Sequence, residues 1–262
     1  MGSRGYVNGQ SACTKISVSL FGGFRLFYGE HLVSIPRSCQ RVIAFLAFNS
    51  PRARAELGGN LWPEVDEARA LGSLRTSVWQ VHRRCPGLLV ADGDQLSFSE
   101  RVRVDMLDFK ERAHRILHQP HSASPVDLMA EQQELLPGWY DDWVLLERER
   151  VRQLQLHVLE AASEELLSRH KPGPALCAAL DAVQVEPLRE SAHRLVIRIH
   201  ILEGNTWDAM RHYHRYCRLV RDELGVSPTN QLEELIAGLI PNAEPRRASI
   251  ATGPRLSPRT TC

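Results

Sequence analysis

Asp66-Glu-Ala-Arg-Ala-Leu-Gly-Ser-Leu-Arg-Thr-Ser-Val-Trp-Gln-Val-His-Arg-Arg-Cys85, then Pro86-Gly87, then Leu88-Leu-Val-Ala-Asp-Gly-Asp-Gln-Leu-Ser-Phe98 is the stretch on which the fold turns. Asp66 is a helix-opening residue, because its carboxylate can accept from the free N–H groups of a first turn. At 100° per residue, Leu71, Leu74, Val78, Val81 and Cys85 fall on one side of a helix running to Cys85. The opposite side collects Arg69, Ser73, Thr76, Gln80 and Arg83, with Arg84 and Trp79 at its edges, and Arg75 adds a further cation. No acidic residue occurs between Ala68 and Cys85, whereas a solvated helix face ordinarily mixes signs. Pro86-Gly87 closes the helix. Leu88 to Ala91 and Gln95 to Phe98 then flank Asp92-Gly93-Asp94, a hairpin signal.

Working outward toward the N-terminus, residues 1–14 read as disordered. Ile16 to Leu20 alternates apolar and polar residues as a half-buried strand does. Gly22-Gly23 breaks it, Phe24 to Tyr28 forms a second strand and, after a turn at Gly29-Glu30, Leu32 to Ile35 a third. Arg37 to Phe48 is predicted helical, with Val42, Ile43, Phe45 and Leu46 on its apolar face. A second helix is expected over 51–61, with Ser50 as N-cap and Pro51 in its first turn, weakened by Gly58-Gly59 and ended at Trp62-Pro63. Sheet, three helices, hairpin and a last strand through Val102 and Val104 is the order of a winged helix-turn-helix with an N-terminal sheet. Arg101 and Arg103 on that last strand are placed to hold phosphates, while the acidic Asp92-Gly93-Asp94 tip is a poor phosphate clamp.

From Asp105 onward no strand pattern appears. Pro120 to Pro125 reads as a loop before a helix rich in Glu and Gln. Trp139 to His170 reads as one long helix with Trp143, Leu146, Arg150, Leu154, Val158 and Ala161 on one face. Further helices are expected at about 174–185, 188–203, 206–223 and 228–239, the last started by Ser227-Pro228. Ala175-Leu176 and Ala209-Met210 lie 34 residues apart, which is the tetratricopeptide period. The expected fold is therefore mainly α, a winged helix over 15–106 followed by all-α, tetratricopeptide-like packing over 107–240, with a disordered tail over 241–262.

Charge separates along the same lines. Residues 1–104 carry 13 Lys and Arg against 8 Asp and Glu, residues 105–240 carry 15 against 22, and the tail 4 against 1. A net +5 followed by −7 points to a polyanion as the partner of the first part only. Only Lys15, Lys110 and Lys171 are lysines, and Arg forks match phosphates and guanine edges where ammonium groups cannot. No apolar run reaches bilayer length and no apolar signal core follows Met1, so the expected location is cytoplasmic, on the nucleoid, with no membrane partner. The six cysteines form no C-x-x-C pair and read as small buried hydrophobes or inert thiols.

Signatures of an enzyme do not occur: there is no G-x-S-x-G elbow, no H-E-x-x-H helix and no G-x-x-x-x-G-K-[ST] loop. His114, His118 and His121 have helical spacing, but Pro120 interrupts them and no further ligands complete a shell, so neither metal nor cofactor is expected. Trp139, Tyr140 and Trp143 read as core aromatics rather than a ligand cage.

The segment from Leu71 to Cys85, with Leu61-Trp62-Pro63 before it and Val-x-Val-Asp at 102–105 after it, resembles the recognition region of the Streptomyces antibiotic regulatory protein family, whose winged helix is of the OmpR type. Leu135-Leu-Pro-Gly-Trp-Tyr-Asp-Asp-Trp-Val144, Glu147-Arg-Glu-Arg150 and Arg152-Gln153-Leu154 resemble that family's bacterial transcriptional activation domain. Glu186-Pro-Leu-Arg-Glu-Ser-Ala-His-Arg194, Glu203-Gly-Asn205 and Asp222-Glu-Leu-Gly225 extend the likeness, which covers about residues 15 to 240. It implies a transcriptional activator that binds direct repeats near a promoter −35 element, recruits RNA polymerase holoenzyme and controls a secondary-metabolite (antibiotic) gene cluster. It implies Arg69, Ser73, Arg75, Thr76, Gln80, Arg83, Arg84, Arg101 and Arg103 as the DNA-facing set, and Trp62, Glu64, Asp66 and Glu67 as a polymerase-facing loop. Tandem repeats would also suit self-association on DNA, head to tail. The competing reading is a helical protein-interaction adaptor whose winged helix no longer reads DNA.

Overall fold

A computed structural model of the chain describes residues 15–119 and 133–238. The two expected disordered ends, the Pro120 to Pro125 loop and most of the Glu- and Gln-rich segment lie outside these residues. By its internal contacts the chain divides into a unit up to Leu195 and a second from Val196.

In the first unit, β1 (Ile16–Ser19), β2 (Arg25–Tyr28) and β3 (His31–Leu32) form an antiparallel meander, shorter at β3 than the sequence suggests. The alternation is realised: Ile16, Val18, Leu20 and Leu26 are buried. α1 (Arg37–Asn49) buries Val42 through Leu46 and Ala47 without a break, so it runs through the core rather than along its edge.

The expected helix over 51–61 starts later. Arg52–Ala53 is a short strand, β4, paired with β6 (Gln95–Phe98), and α2 spans Arg54–Leu61. Ser50 caps nothing. The first helical N–H, that of Arg54, donates instead to the Asp94 carbonyl at 3.0 Å. Pairing with the hairpin satisfies backbone groups that a helix begun at Pro51 would leave open. The wing is thus a three-stranded sheet in the order β4-β6-β5, with β5 at Leu89–Asp92. Gly58 is buried where α2 meets α3 (Glu67–Arg84), and a Cβ there would stand 3.5 Å from the Cβ of Ala70.

β7 (Val102–Val104) leaves the wing and joins the other sheet, parallel to β1, giving the order β3-β2-β1-β7. It leads directly into α4 (Asp105–His118), and Asp105 locks this junction. β1 is followed by Leu20 and Phe21, which are essentially fully buried, so their N–H groups need partners that water cannot supply. The Asp105 carboxylate accepts from Leu20 N at 2.8 and 3.0 Å, from Phe21 N at 3.2 Å and from the Ser19 hydroxyl at 2.8 Å.

The carbonyl side of the same strand end is covered by the segment after residue 132. Leu136 N donates to Leu20 O at 2.9 Å, Gly22 N donates to Glu134 O at 2.8 Å, and Leu135 bridges Phe21. Residues 133–141 are therefore not helical, and the long helix expected from Trp139 is α5, Asp142–Ser168. Leu136 takes φ +46°, a strained value for a branched residue, yet it is completely buried. Arg148 of α5 holds the turn, its Nε donating to Leu135 O at 2.8 Å and its Nη2 to Leu136 O.

The buried side of α5 also differs from the expectation. Leu146 and Arg150 are exposed, and the buried stripe runs through Val144, Glu147, Val151, Gln155, Val158, Ala162 and Leu166. Trp139, which starts the turn into α5, is buried beneath the Arg37 guanidinium, 3.4 Å from its ring centroid, and stacks on Phe24. Trp143 meets Phe45 edge-on at 5.3 Å, while Tyr140 is 79% exposed. Arg41 ties to Asp141 at 2.7 Å. One hydrophobic cluster consequently runs from Ile16 to Val151, with no break between winged helix and helical segment.

α6 (Pro172–Val185) packs on α5 through Ala175, Ala178, Ala179 and Ala182, whose small side chains allow close approach. The Ser163 hydroxyl donates to Ala175 O at 2.9 Å. Arg189, just before α7 (Glu190–Leu202), grips Glu160 with two 2.7 Å bonds. Burial pushes the Glu160 carboxyl up, but these bonds and one from Ser191 outweigh it and hold it below the usual carboxylate value.

The second unit comprises the end of α7, α8 (Thr206–Leu224) and α9 (Asn230–Ala237). α9 opens at Thr229 rather than at the Ser227-Pro228 pair. The two alanines 34 residues apart occupy equivalent places: Ala175 and Ala209 are each the fourth residue of their helix and each fully buried.

Replacing Asp105 with Ala strands the Leu20 and Phe21 N–H groups and is expected to cost about 2–3 kcal/mol. Urea denaturation checks this, and an unchanged midpoint would show the carboxylate to be dispensable. Gly59 faces open space, so Gly59→Ala should stabilise α2 by about 1 kcal/mol and raise the melting temperature by a few degrees.

Candidate nucleic-acid interface

α3 is set by its N-cap. The Asp66 carboxylate accepts from Arg69 N at 2.9 Å, and Cys85 N closes the far end on Val81 O. His82, Arg83 and Arg84 occupy the last turn, where cations favour the negative end of the helix dipole. Ala70, Leu74, Ser77, Val78 and Val81 are buried, so the inward arc is rotated slightly from the expected one: Leu71 is half-buried, and Ala70 and Ser77 take its place.

The outward arc carries Arg69, Arg75, Thr76, Trp79, His82, Arg83 and Arg84, all exposed, with Ser73 and Gln80 half-buried at one margin. The chain supplies no acid along this arc between Ala68 and Cys85. Its side chains are not equally available. Arg75 has no side-chain partner among the described residues. Arg83 rests over the Trp79 ring, 5.4 Å from its centroid, which aligns the guanidinium without using its donors. Arg69 Nε lies 3.3 Å from Asp66. Arg84 Nη1 donates to Ser34 O at 2.5 Å, which makes it a strut to the segment before α1.

Thr76 turns its hydroxyl back to Gly72 O at 3.0 Å. Gln80 receives the Cys39 thiol on Oε1 at 3.5 Å, so its carbonyl faces inward.

The loop before α3 exposes Glu64, Val65, Asp66 and Glu67, with Trp62 half-buried against the core. Trp62 and Val65 border a groove that continues along Arg69, Ser73 and Thr76 to Ser38 of α1. Loop and outward arc therefore form one continuous surface. Asp66 belongs to both, because it caps the helix and pairs with Arg69.

The wing tip is exposed, and Gly93 takes φ +56° in the two-residue turn that the hairpin needs. Arg101 and Arg103 are exposed, but Arg101 lies just before β7, and Arg103, opposite Ser17, belongs to the N-terminal sheet rather than the wing.

The His114 and His118 rings lie tilted to each other with centroids 4.2 Å apart, while His121 lies outside the described residues. No group of three His, Cys, Asp or Glu gathers as metal ligands among the described residues, and no helix there is long and apolar enough to cross a membrane.

Residues 129–239 match the family model of the bacterial transcriptional activator domain. A structure of Mycobacterium tuberculosis EmbR in complex with a low-affinity phosphopeptide shares the fold, with a TM-score of 0.70 at 18% identity over 86% of this chain. This chain spans 64% of that one. No curated protein matches the sequence significantly. Residues 129–239 are thus similar to a bacterial transcriptional activator domain, and the fold of the chain joins that region to a winged helix.

The expected outward arc is present, and Cys39 is buried as expected of the cysteines, but the burial of Ser77 behind the arc is not foreseen, because a polar serine carries no apolar periodic signal. Both Cys39 and Cys85 are buried, and burial pushes the Cys85 thiol up to about 11. Maleimide labelling at pH 8 should modify the exposed Cys177 and spare Cys39 and Cys85 until the protein is unfolded. Peptide mapping by mass spectrometry checks this; rapid labelling of Cys85 in the native protein would mean that the end of α3 is open.

Proposed function

We propose that this protein binds double-stranded promoter DNA sequence-specifically through the outward arc of α3 and activates transcription by presenting its Trp62 to Glu67 loop to RNA polymerase holoenzyme. The acid-free, arginine-bearing arc carries the reading: a helix of this composition, preceding a hairpin in a winged helix, suits the major groove. Arg75 and Arg83 are the free guanidinium groups for guanine edges or phosphates. Ser73 and Thr76 border the groove beside this arc, Gln80 stands at its margin, and Arg69 joins once phosphate competes with Asp66. Arg84 acts as a strut more than a reader. Arg101 and Arg103 would hold backbone phosphates, and the Asp92 and Asp94 tip would stay clear of the polyanion.

From the family likeness we further infer direct-repeat operators near a −35 element, protomers side by side on them, and a secondary-metabolite gene cluster as the target. The place of action is then the cytoplasm, on the nucleoid, with no cofactor required.

A gel-shift titration with rising salt tests the reading. Specific retardation should weaken steeply with salt. Arg75→Ala with Arg83→Ala should lower affinity tenfold or more and reduce the salt slope by about 2, with an unchanged melting temperature. Unchanged binding would move the reading face elsewhere. For polymerase, Glu64 is the cleaner probe, because substituting Asp66 also uncaps α3. Glu64→Ala should abolish activation in reconstituted transcription and leave DNA affinity intact; loss of both would sink this division of labour.

The adaptor reading draws support from the internal engagement of Arg69 and Arg84 and from the acidic wing tip. It expects no specific retardation of any duplex in the same titration.

A further inference from the structure

Trp79 is the one large hydrophobic side chain of α3 that is exposed, at 58%. Single exposed apolar residues are ordinary on protein surfaces, so exposure alone means little. Two further observations separate Trp79 from that background. It stands among Arg75, His82 and Arg83 on the arc that carries no acid, and its ring supports the Arg83 guanidinium. It cannot turn into the core, because Ser77, Val78 and Val81 already fill that side.

In the major groove, thymine is distinguished from cytosine and uracil by an apolar C5-methyl group, and an apolar side chain is what recognises it. Trp79 and Arg83 are four residues apart, a rise of about 6 Å along the helix, against about 3.4 Å per base pair. A base contact by Arg83 therefore sets the Trp79 ring over a neighbouring pair, one or two steps away.

Resting on the DNA-reading function above, we propose that Trp79 and Arg83 act as one two-part reader, in which Arg83 bonds a guanine edge and Trp79 packs on the methyl group of a thymine within two base pairs of it. The Arg83–Trp79 contact pre-orients the fork, so the guanine contact also depends on the ring. Trp79 is then a specificity residue that needs no hydrogen bond of its own.

The probe is a duplex selected by the full-length protein from a random-sequence library, with each thymine replaced in turn by deoxyuridine. This exchange removes one methyl group and leaves base pairing unchanged. Affinity is measured by fluorescence anisotropy for the wild type, Trp79→Ala, Trp79→Phe and Arg83→Ala. At one thymine, next to or one pair removed from the guanine to which Arg83→Ala becomes indifferent, deoxyuridine should weaken the wild type about fourfold. Trp79→Ala should bind both duplexes equally, and Trp79→Phe should keep part of the difference. Circular dichroism confirms folding, which an exposed side chain should not disturb. If Trp79→Ala still distinguishes thymine from deoxyuridine, or if no substitution affects the wild type, the inference is overturned while the DNA-reading function stands. If selection enriches no sequence, both fall.

Discussion

The carboxylate of Asp105 sits where four parts of the chain meet: the end of β1, the end of β7, the start of α4 and, through the carbonyl of Leu20, the segment that enters α5. A strand that ends inside a core has unpaired backbone groups on one edge, and each must find a partner or forfeit a hydrogen bond's worth of stability. The protein settles this with one charged acceptor on the N–H side and the Leu135-Leu136 segment on the carbonyl side. This junction fixes the N-terminal sheet, while α3 is held by its own buried arc. β7 can cross from the wing to the N-terminal sheet only if its exit is fixed, and with both sheets anchored the hairpin holds its place beside α3.

The same junction explains why the winged helix and the first helices behind it behave as one body. Trp139 and Trp143 pack into the face of α1 that a free winged helix would leave to solvent, and Arg37 and Arg41 reach across to the aromatic ring and to Asp141. Burying this much aromatic surface is worth several kcal/mol, well above the thermal energy that would let two domains move independently. The start of α5 thus rests on α1, whose Cys39 in turn touches Gln80 and Ser77 of α3.

Much of this was legible in the residues. The alternation at Ile16 to Leu20, the helical period of Glu67 to Arg84 and the Asp-Gly turn each report a local preference that the tertiary structure keeps. Readings failed where a distant partner decided the outcome. Arg52 and Ala53 have no strand signal of their own and become β4 because β6 offers an edge. Residues 133–141 are a non-helical turn because the end of β1 needs covering there. The buried stripe of α5 lies off the apolar one in the sequence, since Glu147 and Gln155 are drawn inward while Leu146 and Arg150 are left outside. For the interface, the type of residue was readable but its availability was not: that Arg84 is bound to a backbone carbonyl and Arg75 is free depends on neighbours far away in the chain.

The separation of the two arcs of α3 bears on how such a protein diversifies. Ala70, Leu74, Ser77, Val78 and Val81 hold the helix in place, whereas Arg75, Trp79, His82 and Arg83 make no contribution to the core. Drift among those outward residues is then nearly free of thermodynamic penalty, and under the proposed function lineages could acquire new target sequences without rebuilding the scaffold. Only Gln80 and Arg84 couple the two arcs, so they mark where retargeting and foldability begin to constrain each other.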